Sequence, residues 1–231
     1  MNENPFQCFW EKIWQQEDAE RLATYLQDGQ TASMSFLAVF KAHGVKSVCD
    51  AACGFGAMSL MLERNGFQVA GFDLSAASAA LTKELLDRFS VRHGEYKAGD
   101  ILDIPYNSAS FDGAVARSVI DHLPVNDGRR ALSELARIIR PGGLIYLSFD
   151  SPEPEDESLP HETLEDGSYL YTAGKRAGML FHPYTEQEIA ALCTGWRIIF
   201  QESSPRRERE VVLQKNQESP HREQRKKQVY G

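Results

Sequence analysis

One stretch, SVCDAACGFG at residues 47–56, constrains the fold of this chain more than any other. An apolar run that ends in an acid and then breaks into small residues is typical of a buried strand followed by a tight loop. The following residues, MSLMLERNG, place apolar positions 58, 61 and 62 on one helical face and end at Gly66. We therefore expect a strand, a loop and a helix. Gly54 and Gly56 would leave room for a ligand at the positive end of that helix.

The residues of this loop resemble a family fingerprint. Asp50, Ala52, Cys53, Gly54 and Gly56 resemble the DxGCGxG motif of class I S-adenosylmethionine-dependent methyltransferases. Ala52 stands where the family usually has its first glycine. The resemblance implies that these residues bind S-adenosylmethionine, with S-adenosylhomocysteine as the product.

Two more carboxylates follow predicted strands. FQVAGFD at 67–73 predicts a strand that ends at Asp73, close to the spacing at which nucleotide-binding folds place an acid on the ribose hydroxyls. EYKAGDI at 95–101 predicts a third strand ending at Asp100, and the resemblance implies that Asp100 and Ile101 contact the adenine. The residues expected to bind the cofactor are Asp50, Ala52, Cys53, Gly54, Gly56, Asp73, Leu74, Asp100, Ile101, Arg117 and Trp10.

Strands and helices alternate through the rest of the chain. A fourth strand at 111–119, a helix at 126–140 and the strand LIYLSFD after PGG predict a parallel, doubly wound α/β sheet. Thr185 and Glu188 form a capping box for another helix, and two final strands, WRIIFQES and EREVVLQKN, close the chain as a hairpin. The resemblance implies a seven-stranded, mostly parallel, Rossmann-like sheet with an antiparallel C-terminal strand.

The domain organisation follows from this pattern. We expect an N-terminal helical cap at 1–44, a methyltransferase domain at 45–216 and a disordered charged tail at 217–231. Aromatic residues repeat at helical spacing through residues 6–14, which predicts an amphipathic helix broken near Glu17. This helix either packs on the core or covers the cofactor.

An insertion at 151–183 follows the fifth strand, where loops over a rigid sheet tend to carry specificity. We expect it to lie near the acceptor, with His182, Tyr171, Tyr184 and Arg176 as candidates for substrate contact. His122, after the fourth strand, is the candidate catalytic base, because an unperturbed histidine titrates near working pH. A role for His122 in shaping the cofactor site stays open.

Charge and hydropathy limit the partners. The 25 Lys and Arg residues against 33 Asp and Glu residues give a net charge of -8, which disfavours a nucleic-acid partner. No stretch approaches the ~20 apolar residues of a membrane span, and the first residues lack the features of a signal peptide. We expect a cytoplasmic protein without membrane contact, and the sequence leaves its oligomeric state open.

The cysteines do not predict a metal cluster. Cys8, Cys49, Cys53 and Cys193 form no CxxC pair, so reduced thiols are expected. Cys49 and Cys53 have the spacing that opens an iron–sulfur motif, but the third position is Gly56 and the cluster would lack a ligand. No metal is expected.

These observations predict transfer of a methyl group from S-adenosylmethionine to an oxygen or nitrogen of a small molecule. An NAD(P)-dependent oxidoreductase is the alternative, since GFGAMS approximates GxGxxG, but Ser59 replaces the third glycine and Asp100 has no dinucleotide role. A binding protein that keeps the pocket without catalysis also stays open. In the family that this chain resembles, members that methylate the amino groups of bases carry an NPPY-like segment after the fourth strand. This chain has ARSVIDHL there, which disfavours a base as the acceptor.

Overall fold

The computed structural model describes residues 5–27, 35–92, 94–203 and 208–217 of the 231-residue chain. The helices are α1 (Pro5–Gln15), α2 (Ala19–Gln27), α3 (Ser35–Ala42), α4 (Ala57–Arg64), α5 (Ala76–Arg88), α6 (Val125–Ile138), α7 (Pro154–Ser158) and α8 (Glu186–Leu192). The strands are β1 (Ser47–Ala51), β2 (Gln68–Asp73), β3 (Tyr96–Ala98), β4 (Phe111–Arg117), β5 (Ile139–Asp150), β6 (His161–Thr163), β7 (Tyr169–Tyr171), β8 (Leu180–Phe181), β9 (Arg197–Ser203) and β10 (Glu208–Gln214).

The main sheet has seven strands in the order β3-β2-β1-β4-β5-β10-β9. The pairs from β3 to β5 are parallel, whereas β10 runs antiparallel to both of its neighbours, β5 and β9. Strand order reverses at β1 and β4, so a crevice opens at the carboxyl ends of these strands. The predicted fold class, a seven-stranded and mostly parallel sheet with one antiparallel strand near the C-terminus, is confirmed.

Helices cover both faces of this sheet. On one face, α6 buries Leu132, Leu135 and Ile138 with the inner residues of β4 and β5. On the other face, Phe36 of α3 stacks on Tyr146 of β5 with ring centroids 4.1 Å apart. The sheet is therefore the middle of three layers, as the alternating pattern predicts.

Two strand boundaries differ from the sequence prediction. β5 begins at Ile139 and includes the PGG segment, with a shift in its register against β4. A Cβ at Gly143 would lie 2.6 Å from the Asp112 carbonyl oxygen, so only glycine permits this close approach of two backbones. β3 ends at Ala98, and Asp100 lies in the following loop, where it bridges to Asp103.

The N-terminal segment divides into two helices with different neighbours. α1 ends at Gln15 and α2 begins at Ala19, so the break predicted near Glu17 is confirmed. α2 buries Leu22 and Leu26 in a cluster with residues of α5, which makes it part of the core. α1 instead lies over the crevice. Of the predicted tail at 217–231, residues 218–231 lie outside the described residues, and the proposed domain boundaries stay predictions.

The insertion after β5 forms a small sheet of its own, in which β6, β7 and β8 are antiparallel. It is joined to the main domain at the 3-10 turn Ile120–His122, where the His182 amide donates to the Asp121 carbonyl oxygen at 2.7 Å. Among the described helices, none is long and apolar enough to cross a membrane.

Candidate active site

A cavity of about 540 Å³ lies at the carboxyl ends of the central strands. This volume is within the ~300–1,000 Å³ of typical small-molecule sites. One side, here called the loop wall, consists of residues 50, 52–55, 73–74 and 99–102. The opposite side, the far wall, consists of residues 117–119, 122–124, Asp150 and Glu208, and α1 lies over both walls. Ten of the eleven residues predicted to bind the cofactor line this cavity, and Gly56 does not.

The loop after β1 has a left-handed backbone at three positions: Ala52 (φ 56°), Gly54 (φ 57°) and Gly56 (φ 82°). A Cβ on Gly54 would lie 3.3 Å from the Trp14 ring, on the cavity side. A Cβ on Gly56 would lie 2.8 Å from Thr82 Cγ2 of α5. Glycine at 56 is therefore required for packing on α5, which corrects the expectation that it makes room for a ligand.

Asp73 organises the loop wall. Its carboxylate accepts hydrogen bonds from the Gly54 and Ser75 amides, both at 2.9 Å. Each oxygen keeps a second lone pair, so the group can accept further donors from a ligand. Burial raises the pKa of Asp73.

Asp50 lies beneath the loop at the end of β1 and is only 2% exposed. It accepts a hydrogen bond from the Ser59 hydroxyl of α4, and burial raises its pKa to about 7. Burial also raises the pKa of the Cys53 thiol well above its ordinary value. Cys53 is therefore a neutral thiol that packs in the loop.

The third predicted strand end completes the loop wall. The Asp100 carboxylate accepts from the Leu102 amide at 2.8 Å, which fixes the loop after β3. Ile101, 5% exposed, and Leu74 present apolar surface to the cavity beside this acid. A flat apolar group with hydrogen-bond donors at its edge fits this surface.

The far wall contains an ion pair at the ends of two strands. Arg117 of β4 donates through Nε to Glu208 of β10 at 3.3 Å, and a second guanidinium nitrogen donates to the other carboxylate oxygen. Both charges are thus engaged with each other in a bidentate pair. Nothing in the sequence pattern of β10 indicated that Glu208 would reach the cavity.

His122 lies in the far wall with a defined tautomer. Its Nδ1 lies 2.8 Å from the Leu180 carbonyl oxygen of the insertion. A carbonyl oxygen only accepts, so Nδ1 carries a hydrogen, and in the neutral ring Nε2 then keeps a lone pair. The ring packs against Trp10 at 5.3 Å and Phe181 at 5.9 Å between centroids.

Two further acids surround His122. Asp121 is fully buried and accepts from the Asp150 amide at 2.9 Å, and burial raises its pKa to about 6. Asp150 in turn accepts from the Ser118 hydroxyl at 2.8 Å. Ligand atoms of Asp121, His122 and Asp150 all lie within 4.8 Å of one another. This group is a locally negative site that sequence spacing alone did not bring together.

Helix α1 contributes Phe6, Trp10 and Trp14 to the cavity lining. Its Glu11 carboxylate accepts from the Ala77 amide at 3.4 Å, at the N-terminus of α5. A hydrogen bond with the Ser75 hydroxyl and these helix amides lower the pKa of Glu11, which therefore stays ionised beside the positive end of α5. The sequence left open whether α1 packs on the core or covers the cofactor site. The structure favours the second interpretation, because α1 lies over the cavity.

Comparison with known proteins places this geometry in a family. Residues 49–147 match a family model described as a methyltransferase domain. The chain is 34% identical over 134 residues to a malonyl-[acyl-carrier protein] O-methyltransferase from Salmonella typhimurium, an alignment covering 58% of this chain and 45% of that relative. Among solved structures, a methyltransferase from Methanosarcina mazei has a TM-score of 0.62 at 21% identity, covering 74% of this chain and 93% of that one.

A 1,6-didemethyltoxoflavin-N1-methyltransferase from Burkholderia thailandensis, solved with S-adenosylhomocysteine, has a TM-score of 0.59 at 20% identity, covering 88% of this chain and 81% of that one. Residues 49–147 match a methyltransferase domain, and these similarities support a class I S-adenosylmethionine-dependent methyltransferase. It spans about half the length of the first curated relatives that it matches.

The family's preference for glycine at the position of Ala52 has a physical reason in this fold. The backbone there is left-handed, with φ 56°, a conformation that costs a residue with a Cβ ~1 to 2 kcal/mol. Alanine carries the smallest side chain that bears this cost. The methyltransferase loop therefore keeps its shape despite the departure from the motif.

The four residues predicted to contact substrate, three in the insertion and Tyr184 directly after it, do not line the cavity. Tyr171, His182 and Tyr184 are each at most 3% exposed. His182 contacts the Ser168 hydroxyl at 3.1 Å and Glu188 at 3.2 Å, and its ring packs on Tyr184.

Arg176 forms an ion pair with Asp156 and lies over the Tyr171 ring. These side chains are taken up by packing within the insertion and against α8. The structure does not favour substrate contact by these four residues, and that contact stays a prediction. Within the insertion, the Leu180 carbonyl oxygen contacts a residue that lines the cavity, His122.

Proposed function

We propose that this chain transfers a methyl group from S-adenosylmethionine to an oxygen or nitrogen nucleophile of a small molecule. The observation that carries the proposal is the convergence of Gly54, Asp73 and Asp100 on one wall of a cavity whose other wall holds His122. When bound, S-adenosylmethionine would supply a methyl group on a sulfonium: the acceptor's lone pair would bond to the methyl carbon in line with the breaking C–S bond, whose electrons would stay on the sulfur of S-adenosylhomocysteine.

The loop wall fits the parts of this cofactor. The outer lone pairs of Asp73 suit the two ribose hydroxyls, because the carboxylate is already fixed by the Gly54 and Ser75 amides. Asp100 and the apolar surface of Ile101 suit the amino group and ring of adenine. The left-handed backbone at Gly54 leaves space for the amino-acid portion.

His122 is the proposed proton acceptor. The Leu180 carbonyl holds the hydrogen on Nδ1, so Nε2 can take the proton of an acceptor hydroxyl or amine. Trp10 and Phe181 fix the ring between them, and α1 excludes water above it. This chain's contribution is then alignment, desolvation and one proton transfer.

Two alternatives have distinct signatures. An NAD(P)-dependent oxidoreductase would bind a nicotinamide cofactor, and the antiparallel β10 within the sheet argues against it. A non-catalytic binding protein would bind S-adenosylmethionine without turnover with any acceptor. A cytoplasmic location is part of the proposal and is supported by four free cysteines.

Calorimetry of the purified chain with S-adenosylmethionine, S-adenosylhomocysteine and NADH tests the cofactor. We expect binding of the first two and none of the third. Binding of NADH alone, or of none of the three, would overturn the proposal. Mass spectrometry of S-adenosylhomocysteine formed with a mixture of small hydroxyl and amine acceptors separates an enzyme from a binding protein.

With an acceptor in hand, His122→Ala should lower kcat at saturating cofactor by ~100-fold or more. His182→Ala, within the insertion, and His43→Asn, directly after α3 and away from the cavity, are the comparison variants. If His122→Ala has the same kcat as His43→Asn, His122 is not the base.

A further inference from the structure

The far wall carries more negative charge than its own arginine balances. Arg117 is the only Lys or Arg among the described residues that line the cavity. Its guanidinium is held in a bidentate pair with Glu208, so its charge is already neutralised. Asp150 is the register partner of Glu208 across the β5–β10 pair. The Asp150 carboxylate forms no ion pair among the described residues, although it interacts with the Arg117 charge and Arg209 donates to the Asp150 main-chain oxygen at 2.8 Å. The wall thus has an excess of negative charge.

A second carboxyl lies directly behind Asp150. One oxygen of Asp121 accepts from the Asp150 amide, and the other finds no hydrogen-bond donor among the described residues. The group is completely buried, so no solvent screens it from its neighbours. Whenever Asp121 is ionised, it adds to the negative potential at Asp150.

Aromatic surface borders the same place. Trp10 packs on His122, and Phe6 also lines the cavity from α1. Aromatic faces attract cations through their quadrupole, and the attraction grows when the site is screened from water. Carboxylates beside aromatic rings are the combination that binds an organic ammonium group.

An anion would meet the opposite conditions. A carboxylate entering this wall would lose its hydration, face Asp150, and find the one lining arginine engaged with Glu208. Releasing Arg117 to bind it would leave Glu208 uncompensated and buried at 7% exposure.

We infer that the acceptor of this enzyme carries a positively charged group, such as a protonated amine, which binds against Asp150 on the far wall. This inference rests on the proposed function. It concerns the group that anchors the acceptor, and the methylated atom is a separate nucleophile or the same amine after loss of a proton to His122.

Matched fragments test this charge preference. Tyramine, tyrosol and 4-hydroxyphenylacetate share a phenol and differ only in an ammonium, hydroxyl or carboxylate end. A wider set of aromatic skeletons in the same three forms avoids dependence on one shape. Dissociation constants are measured by ligand-observed NMR on the full chain saturated with S-adenosylhomocysteine, with EDTA present.

We expect ammonium forms to bind at least about tenfold more tightly than carboxylate forms, as one poorly screened charge pair would give. Asp150→Asn should remove most of this ratio. Asp87→Asn, which removes an exposed acid from the far side of α5, should keep it. Equal or tighter binding of carboxylate forms, or binding of no form, would overturn the inference.

A metal ion is the other cation that the three ligand atoms of Asp121, His122 and Asp150 could attract. Repeating the titrations with Mg²⁺ or Mn²⁺ in place of EDTA distinguishes the two. If hydroxyl or carboxylate forms bind only with the metal, the inference is wrong. Calorimetry with S-adenosylhomocysteine reports separately on the proposed function, which can hold while the charge preference fails.

Discussion

The two walls of the cavity are held together over very different distances along the chain. In the loop wall, the hydrogen bonds of Asp50, Asp73 and Asp100 join residues separated by 2 to 19 positions. In the far wall, those of Arg117, His122 and Asp150 join residues separated by 29 to 91 positions.

The difference in sequence separation indicates which wall can vary between related proteins. A wall built from short-range bonds needs only one strand–loop–helix unit and its neighbour, and it can stay the same while the rest of the chain changes. A wall built from long-range bonds changes whenever an insertion or a terminal helix changes. We therefore expect the loop wall to bind the common cofactor and the far wall to select the acceptor.

The largest expected effect is on the buried acid beneath the loop wall. Burial raises the pKa of Asp50 from 3.8 to about 7, so the folded state binds a proton that the unfolded state releases. Binding this proton stabilises the folded state. The stabilisation is complete below about pH 4 and is lost as pH rises through about 7. Asp50→Asn should then stabilise the ligand-free protein by up to about 4 kcal/mol at pH 8 and change little at pH 4.

Asp112 provides a control of opposite sign for the same urea titrations. Its carboxylate accepts hydrogen bonds from the Lys46 and Ser47 amides. Partial burial raises the pKa of Asp112, but these hydrogen bonds and the charge of Arg140 together lower it. Its stabilisation is present at neutral pH and lost as pH falls below about 4. Asp112→Asn should destabilise at pH 7, and equal pH profiles for the two variants would contradict both assignments.

The next effect concerns the acid on the surface of the loop wall. Asp73→Ala removes two amide hydrogen bonds and the proposed contacts with ribose, each worth ~1.5 to 3 kcal/mol when a charge takes part. Affinity for S-adenosylmethionine should fall by about 100-fold or more in calorimetry. Asp166→Ala, in the insertion, is the control, and equal affinity in both would remove Asp73 from the site.

Helix α1 touches both walls, so its two tryptophans can separate them. Trp14 lies against Gly54 and Trp10 packs on His122. Trp14→Leu should weaken cofactor binding by about tenfold, and Trp10→Leu should lower turnover by a similar factor with little change in cofactor affinity. Identical losses in both parameters would mean that the walls do not act separately.

Deletion of residues 1–16 extends this test to the whole of α1. Cofactor affinity should fall more than the free energy of unfolding, since the buried leucines of the N-terminal segment lie in α2. Global unfolding of the truncated protein, seen by circular dichroism, would show that α1 is part of the core.

The smallest effect is expected at the departure from the family motif. Ala52→Gly removes the strain of a left-handed alanine but frees the unfolded chain, so the net gain in stability should be ~0.5 kcal/mol. A small rise in Tm by calorimetry, with cofactor affinity unchanged, would agree. A fall in Tm would show that the methyl group of Ala52 packs usefully at the cavity.

The contrast between the walls also explains what could be read from the sequence. Asp50, Asp73 and Asp100 each follow a strand with a recognisable pattern, and parallel strands bring their ends to one edge. The motif predicts that Gly56 leaves room for a ligand, whereas in the structure its missing Cβ leaves room for Thr82. The sequence does not reveal this contact, because Thr82 comes close only when α5 packs on the loop. Glu208 and Asp150 meet through an antiparallel register that no local pattern encodes.

The aromatic residues of the insertion were misleading for a related reason. Tyr171 and Tyr184 are of a type that suits a binding surface, but the insertion must also bury something to fold as a small sheet. In this chain Tyr171 is buried within the insertion, whereas Tyr184 follows the insertion and packs in the main core against Phe149. Residue type predicts burial or binding equally well until the packing is known.

The contact between Leu180 and His122 has a consequence for the evolution of such enzymes. The insertion sets the tautomer of the histidine through a main-chain oxygen, so the side chain at position 180 can vary without altering the proposed base. An alignment would record this position as an ordinary apolar site. If His122 is the proton acceptor, the insertion can diversify around it, and enzymes with dissimilar insertions would share the same catalytic group.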